Sequence, residues 1–374
     1  MSLYSCISSV YSALKKYIKP AVLALLFSFK KASLKKDCNI VWIICSYGYG
    51  DVIQHIMIPR EIKKIFPCSK LTIITRKKYI HFFRNDKYID FFEEIPPGLN
   101  ANWKAPVKSL FSLYRLIKKH KADLVIDFPV GLHIYELFIY RLAGVKKVYQ
   151  NDSSEYSNNF VRFIGEDFSK FRMDMFIDLL EDLGAEKVDL SSEYIIPEEA
   201  EREALLKIKS VLGNSYGKRN FVLFNPEAST EKRSLPDSLV IETVKSLRLI
   251  MPEYFIIIPC FRRKMIDFDS SHATMVSFSS IEALIACAAH SLGMISVDTS
   301  TVHIADMLGL PLAAAYVKYY NDQPIPQPGG KFWHSRQKGT VDLYHDYAEE
   351  YSGSELAYAL KKSIDSSIRQ FSAE

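Results

Sequence analysis

The sequence lacks every regular cysteine motif: it has no Cys-x-x-Cys pair, and its six cysteines (Cys6, Cys38, Cys45, Cys68, Cys260, Cys287) are scattered through 374 residues. Several sit in apolar stretches, which argues against zinc and a disulfide framework and for reduced thiols in a cytoplasm. A Gly-x-Ser-x-Gly elbow and a Walker lysine are both missing, so neither the matching hydrolase nor a P-loop enzyme is encoded. Internal repeats and low-complexity tracts are absent as well. Charge of one sign is scarce: a net +5 suits anionic small molecules and lipids but is too small to imply nucleic acid. With 48% hydrophobic and 24% charged residues, the composition is that of an ordinary globular protein, long enough for two domains with separate cores.

Long hydrophobic runs are missing too. In residues 1–36 the uncharged run Pro20 to Phe29 is ten residues, half of the roughly 20 that a spanning helix needs. A small-residue cleavage site of the signal-peptide type is lacking. Leu3, Ile7, Val10, Tyr11, Leu14, Tyr17 and Ile18 recur near helical spacing, with Lys15, Lys16 and Lys19 between them and Lys30, Lys31, Lys35 and Lys36 closing the stretch. This reads as a basic amphipathic segment on the inner face of a membrane; an extra helix packed on the following domain is the alternative.

From Asn39 onward short apolar segments alternate with helical patterns, as in a mostly parallel sheet. Strands are expected at 40–46, 71–75, 91–95, 123–128 and 146–149, and helices at 52–65, 107–119, 133–143 and 173–183. Residues 151–159 read as a polar loop. Ile195 to Pro197, with the charged Glu198 to Arg202, leads into a second series. Its strands are expected at 221–224, 254–259, 275–278, 294–297 and 313–317, and its helices at 237–250, 281–289 and 301–308. Residues 318–345 read as a long aromatic and Pro/Gly-rich loop. A closing helix at 354–368 carries the stripe Leu356, Leu360 and Ile364.

Two segments carry chemistry. Leu292 to Val297 ends as a buried strand at Asp298, after which Thr299 and Ser300 can cap a helix that Gly309 and Pro311 stop. A helix start aimed at a strand's carboxyl end offers backbone N–H groups and a favourable dipole to phosphate. His303, one turn in, adds a proton donor or a ring contact; taken alone it reads equally as a structural histidine. The second segment is Tyr47-Gly48-Tyr49-Gly50-Asp51-Val52-Ile53 after the strand at 40–46. Gly48 and Gly50 permit a tight turn and close approach, and Asp51, taken singly, reads first as a helix cap. The third glycine of a dinucleotide fingerprint is absent. Asp127, at the end of its strand, reads equally as a cap or as an acceptor contact. The basic turn Arg262-Arg263-Lys264 reads first as solvated surface. His334, His345 and Asp346 have no paired ligand spacing, so no metal site is expected.

Taken in order, these segments resemble the glycosyltransferase family that contains the lipopolysaccharide heptosyltransferases, glycosyltransferase family 9. The resemblance rests on Gly50-Asp51-Val52-Ile53 with Pro59, on Phe221 to Ser229 with Lys232-Arg233 and Pro236, and on Ser280 to Ile285 leading into Val297 to His303. It spans roughly residues 39 to 320. Departures fall in the donor region: Ser300 stands where the family usually has glycine, Ser234-Leu235 replace a usual tryptophan, and Val317 to Tyr320 replace a Gly-Pro-Thr-like loop.

The resemblance implies a GT-B architecture, two Rossmann-like doubly wound α/β domains facing a cleft. It divides the chain into the N-terminal segment 1–36, an acceptor-side domain 37–195, a linker 196–219, a donor domain 220–350 and a C-terminal helix 351–374 that crosses back to the first domain. It implies an inverting, metal-independent transfer without cofactor, from a nucleotide-diphosphate sugar, ADP-heptose favoured, to a lipopolysaccharide core or related glycolipid. Asp51 would be the general base. Ser229, Thr230, Lys232, Asp298, Thr299, Ser300 and His303 would hold the donor, and Gly48, Gly50 and Asp127 would lie near the acceptor. The protein would be cytoplasmic, peripheral on the inner membrane of a bacterium through residues 1–36. A GT-B protein that binds without turnover, or a GT-B nucleotide-sugar epimerase, are the alternatives.

Overall fold

A computed structural model describes residues 34–44, 48–97, 99, 107–128, 134–151, 160–164, 172–189, 194–213, 221–262, 266, 268, 271–320, 323–324, 335 and 339–371. The expected membrane segment therefore lies almost wholly outside the described residues, as does most of the polar loop at 151–159. The chain forms two compact units. The first comprises the described residues within Met1–Tyr47, Ile58–Asp167 and Asp174–Asp189; the second comprises those within Gly48–Met57, Phe168–Met173 and Leu190–Glu374.

The first unit contains β1 (Asn39–Ile44). The helix that follows in the chain, α1 (Tyr49–His55), belongs to the second unit. The first unit continues with α2 (Ile58–Ile65), β2 (Lys70–Thr75), β3 (Phe91–Glu94), α3 (Val107–Lys119), β4 (Leu124–Asp127), α4 (Ile134–Ala143), β5 (Lys147–Asn151), β6 (Val161–Ile164) and α5 (Arg172–Leu183). Its sheet runs β3-β2-β1-β4-β5-β6, every pair parallel. Val41, Ile43, Val125, Val148 and Val161 share one face and pack under Leu113, Ile117, Leu137 and Tyr140 from α3 and α4. Each such side chain removed from water contributes about 1.5–3 kcal/mol. On the opposite face Trp42 meets Phe176 of α5 at 6.0 Å.

The second unit contains α1, α6 (Glu198–Leu212), β7 (Phe221–Asn225), α7 (Asp237–Ile250), β8 (Phe255–Pro259), β9 (Ala273–Val276), α8 (Ile281–Ala289), β10 (Met294–Val297), α9 (Ser300–Leu308), β11 (Leu312–Val317), a two-stranded pair β12 (Tyr319–Tyr320) and β13 (Gln323–Pro324), β14 (Val341–His345) and α10 (Gly353–Phe371). Its parallel sheet, β14-β11-β10-β7-β8-β9, repeats the strand order of the first, with β7 in the place of β1. Val222, Phe224, Ile256, Ile258, Ile295, Val297, Ala313 and Ala315 form a core with Leu239, Val240 and Leu247 of α7. The stripe Leu356, Leu360 and Ile364 of α10 is buried in that same core.

Three local expectations are corrected. The helix expected at 52–65 is two helices, broken at Ile56–Met57. Pro59 explains the break, because its ring would strike the carbonyl of His55 in a continuous helix, while in the first turn of α2 its missing N–H costs nothing. The loop expected at 318–345 contains β14, which adds a strand beside β11 through the register Ala313↔Val341 to Val317↔His345. The strand β6 was not expected at all; it pairs with β5, Val148 opposite Val161.

Candidate active site

In a doubly wound sheet, ligands bind beyond the carboxyl ends of the strands where the strand order reverses. In the second unit that point lies between β7 and β10, which end side by side at Asn225 and Val297. Asn225 is buried and donates from Nδ2 to Thr301 Oγ1 at 2.7 Å and to the Glu227 carbonyl at 3.2 Å. Thr301 Oγ1 lies 2.5 Å from Ser296 Oγ, which in turn donates to the Val297 carbonyl at 2.7 Å. The only donor order that serves all these groups runs one way, from amide to hydroxyl to hydroxyl to carbonyl. The start of α9 is thereby fastened to both strands by a buried, satisfied network.

Thr299 occupies the N-cap position of α9, as expected, but its side chain makes no capping bond. The first-turn N–H groups are not quenched by their own cap, which suits a helix start that receives an anion. Gly309 closes the helix in the left-handed conformation at φ 65°, as its spacing suggested.

Beside this helix start, Arg233 gathers three of the expected donor residues. Its guanidinium donates to Asp298 Oδ2 at 3.3 Å, to Thr230 Oγ1 at 3.3 Å and to Ser229 Oγ at 2.5 Å. Burial raises the Asp298 pKa, opposed by the charge and hydrogen bond of Arg233. Lys232, the expected cation, is exposed on the same short turn, Glu231–Arg233. Ser234 accepts the Ala228 N–H at 2.9 Å and donates to the Thr230 carbonyl at 3.0 Å. It thus closes the 228–234 turn. Arg262 supports the same turn, donating to the carbonyls of Ala228 and Ser229, and Glu227 Oε2 accepts the backbone N–H groups of Phe261 and Arg262. Arg262 is exposed, as expected of surface, and at the same time braces this turn.

The segment Gly48–Met57 packs on α9 within the second unit. Gly48 is the N-cap of α1, and the partly exposed Asp51 accepts its N–H at 3.3 Å. Asp51 therefore caps its own helix, whatever else it does. Gly50 has an ordinary helical backbone, so space rather than conformation demands glycine there. A Cβ at Gly50 would sit 2.7 Å from His303 Cδ2 and 3.3 Å from the Cα of Ser300. His303 is buried, and its Nδ1 lies 3.2 Å from Gln54 Nε2. The starts of α1 and α9 thus lie together, Asp51 on one and Ser300 with His303 on the other.

Asp127 lies in the first unit at the carboxyl end of strand β4, buried, with Oδ2 accepting the Tyr140 hydroxyl proton at 2.5 Å. The residues that sequence reasoning missed are Asn225, Glu227, Arg233 and Gln54. Arg233 was visible as half of the Lys-Arg pair, and Asn225 and Glu227 lay within the Phe221-to-Ser229 segment without a role of their own; Gln54 gave no signal, because a buried amide has no characteristic spacing.

Among solved structures of similar fold, the glycosyl transferase family 9 protein from Veillonella parvula DSM 2008 superposes with a TM-score of 0.66 at 16% identity, over 90% of this chain and 99% of that one. The E. coli ADP-heptose lipopolysaccharide heptosyltransferase II gives 0.63 at 13% identity, over 88% and 99%. An E. coli heptosyltransferase solved with ADP gives 0.59 at 14%, over 87% and 99%. Neither a protein-family profile nor a curated protein matches the sequence. At these identities the likeness is one of fold: two doubly wound parallel sheets in one chain, the GT-B architecture.

Proposed function

We propose that this chain is an inverting, metal-independent glycosyltransferase that moves a sugar, heptose favoured, from a nucleotide-diphosphate donor to a hydroxyl of a lipopolysaccharide core or related glycolipid. The observation that carries the reading is the packing of α1 on α9, which sets a carboxylate-bearing helix start against an anion-receptive one. An acceptor hydroxyl attacking the anomeric carbon must lose its proton as the bond forms, and Asp51 takes it. The departing nucleoside diphosphate carries the charge that the α9 start, Arg233 and the exposed Lys232 stabilise. Asp298, held by Arg233, and His303 complete the group that holds the donor. Similarity in fold to an ADP-heptose heptosyltransferase and to one solved with ADP supports an adenine nucleotide donor.

No described helix is long and apolar enough to cross a membrane. In the proposed setting the protein works at the cytoplasmic face of the inner membrane, where its acceptor is anchored, and residues 1–36 provide the contact.

The test is transfer from a panel of nucleotide sugars to glycolipid acceptors, read by product mass. Asp51→Asn keeps an oxygen to accept the Gly48 N–H, so α1 should stay folded while turnover falls about 10²–10⁴-fold, the usual share of a general base. Nucleotide affinity should change little. Turnover equal to wild type would remove Asp51 from the mechanism, and an isomerised donor without transfer would assign the chain to epimerisation instead.

A further inference from the structure

We propose that Gln54 is a positioning residue: it fixes the ring orientation and tautomer of His303, so that Nε2–H is the donor presented at the junction of α1 and α9. The functional half of this inference rests on the donor-site reading above; the structural half stands without it.

Gln54 lies one turn after Asp51 in α1, and His303 one turn after Ser300 in α9. The two helices lie together at their starts, so these second-turn side chains meet. Both are buried, at 3% and 6% exposure, and Gln54 Nε2 approaches His303 Nδ1 to 3.2 Å. An amide N–H can donate only to an unprotonated ring nitrogen, which leaves the proton of the neutral imidazole on Nε2. The ring's other edge lies against Gly50, where the missing side chain leaves room: the position of a Cβ there is 2.7 Å from Cδ2 and 3.4 Å from Nε2. The ring is thus gripped at Nδ1 and seated at Cδ2, and its Nε2–H emerges beside the Gly50–Asp51 backbone.

Gln54 gains little structurally from this arrangement. Its Oε1 is buried and has no hydrogen-bond partner, an arrangement that ordinarily costs about 1–3 kcal/mol. A leucine or methionine of similar volume would fill the same space without that loss. The amide is therefore spent on the histidine.

The experiment is ¹⁵N-resolved NMR of the imidazole nitrogens of the full chain at neutral pH, with His303→Asn identifying the signals. Wild type should show a neutral ring protonated on Nε2; a ring protonated on Nδ1 overturns the inference, whatever the variants do. Gln54→Met, which keeps the volume and removes the donor, should shift the His303 nitrogens toward a mixture of tautomers with little change in Tm. Unshifted nitrogens in the variant also overturn the inference. Calorimetric titration with ADP, UDP and GDP then tests function, with affinity expected to fall about 10-fold in Gln54→Met, the low end for a bond to a charged group. A shifted ring with unchanged affinity would confine Gln54 to structure. A wild-type protein that binds none of the three nucleotides would refute the donor-site reading and leave the tautomer result standing.

Discussion

Gly50→Ala opposes two effects of different size. In a helix, alanine is favoured over glycine by about 1 kcal/mol, and less at the second position of a helix only seven residues long. Against this, the new Cβ would lie 2.7 Å from His303 Cδ2 and 3.3 Å from the Cα of Ser300. The ring can yield, but the Ser300 backbone begins α9 and is fastened through Thr301 to Asn225 and Ser296. Overpacking of this kind costs about 1–3 kcal/mol. The net loss should be at most about 2–3 kcal/mol, equivalent to a Tm lower by several degrees for a unit of this size. The effect on chemistry should be larger. Restoring an ordinary contact moves the ring by about 0.7 Å, enough to disturb its 3.2 Å bond with Gln54. Displacements near 1 Å in a reacting site cost up to ~10²-fold in rate. The assay is initial rate of nucleoside diphosphate release beside thermal unfolding. Unchanged turnover with a normal Tm would refute the idea that the α1–α9 junction is the reacting site.

Arg233→Ala should weaken nucleotide-diphosphate binding about 10–100-fold by calorimetry, since one group loses its hold on Ser229, Thr230 and Asp298 together. Arg233→Lys should not restore it, because an ammonium lacks the fork, and Lys232→Ala should be milder than either. Asp298→Asn should become relatively more stable as pH rises. Burial raises the Asp298 pKa against the pull of Arg233, so the stability tied to its neutral form is complete below the ordinary carboxylate range and is lost as pH rises through the raised folded value. The asparagine escapes that loss, and a Tm difference that does not grow between about pH 4 and pH 7 would contradict the sign. Gly353→Ala should lower Tm by several degrees, because its Cβ would fall 2.5 Å from the Glu242 and Thr243 backbone of α7, which no rotamer change can relieve.

Much of the fold was legible because strand and helix periods were strong. The helices at Val107–Lys119, Asp237–Ile250 and Ile281–Ala289 have the bounds that their apolar spacing gives. The errors fell where a local rule was outweighed or weak. Pro59 was read as part of one helix although its ring forbids that continuity. β14 hides in an aromatic stretch after many prolines and glycines, and its partner β11 lies 24 or more residues earlier in the chain. At the site, the hydroxyls and carboxylates near 229, 298 and 303 were visible because helix starts have a residue signature. Of the Lys232-Arg233 pair it is Arg233 that reaches Ser229, Thr230 and Asp298, and two adjacent basic residues look alike until a turn separates their directions.

By itself the sequence determined which stretches are strand and which helix, that apolar faces suffice for two separate sheets, and where a capped helix follows a strand. Those properties are local, carried by the period of burial and by residues suited to helix ends. Tertiary structure decided that the Gly50–Asp51 helix belongs with the second unit and not with the sheet it follows, that Arg233 rather than Lys232 ties the turn together, and that Gln54 meets His303 across 249 positions of sequence. Such pairings depend on which faces are buried against each other, and burial between distant segments leaves no spacing for a linear reading to find.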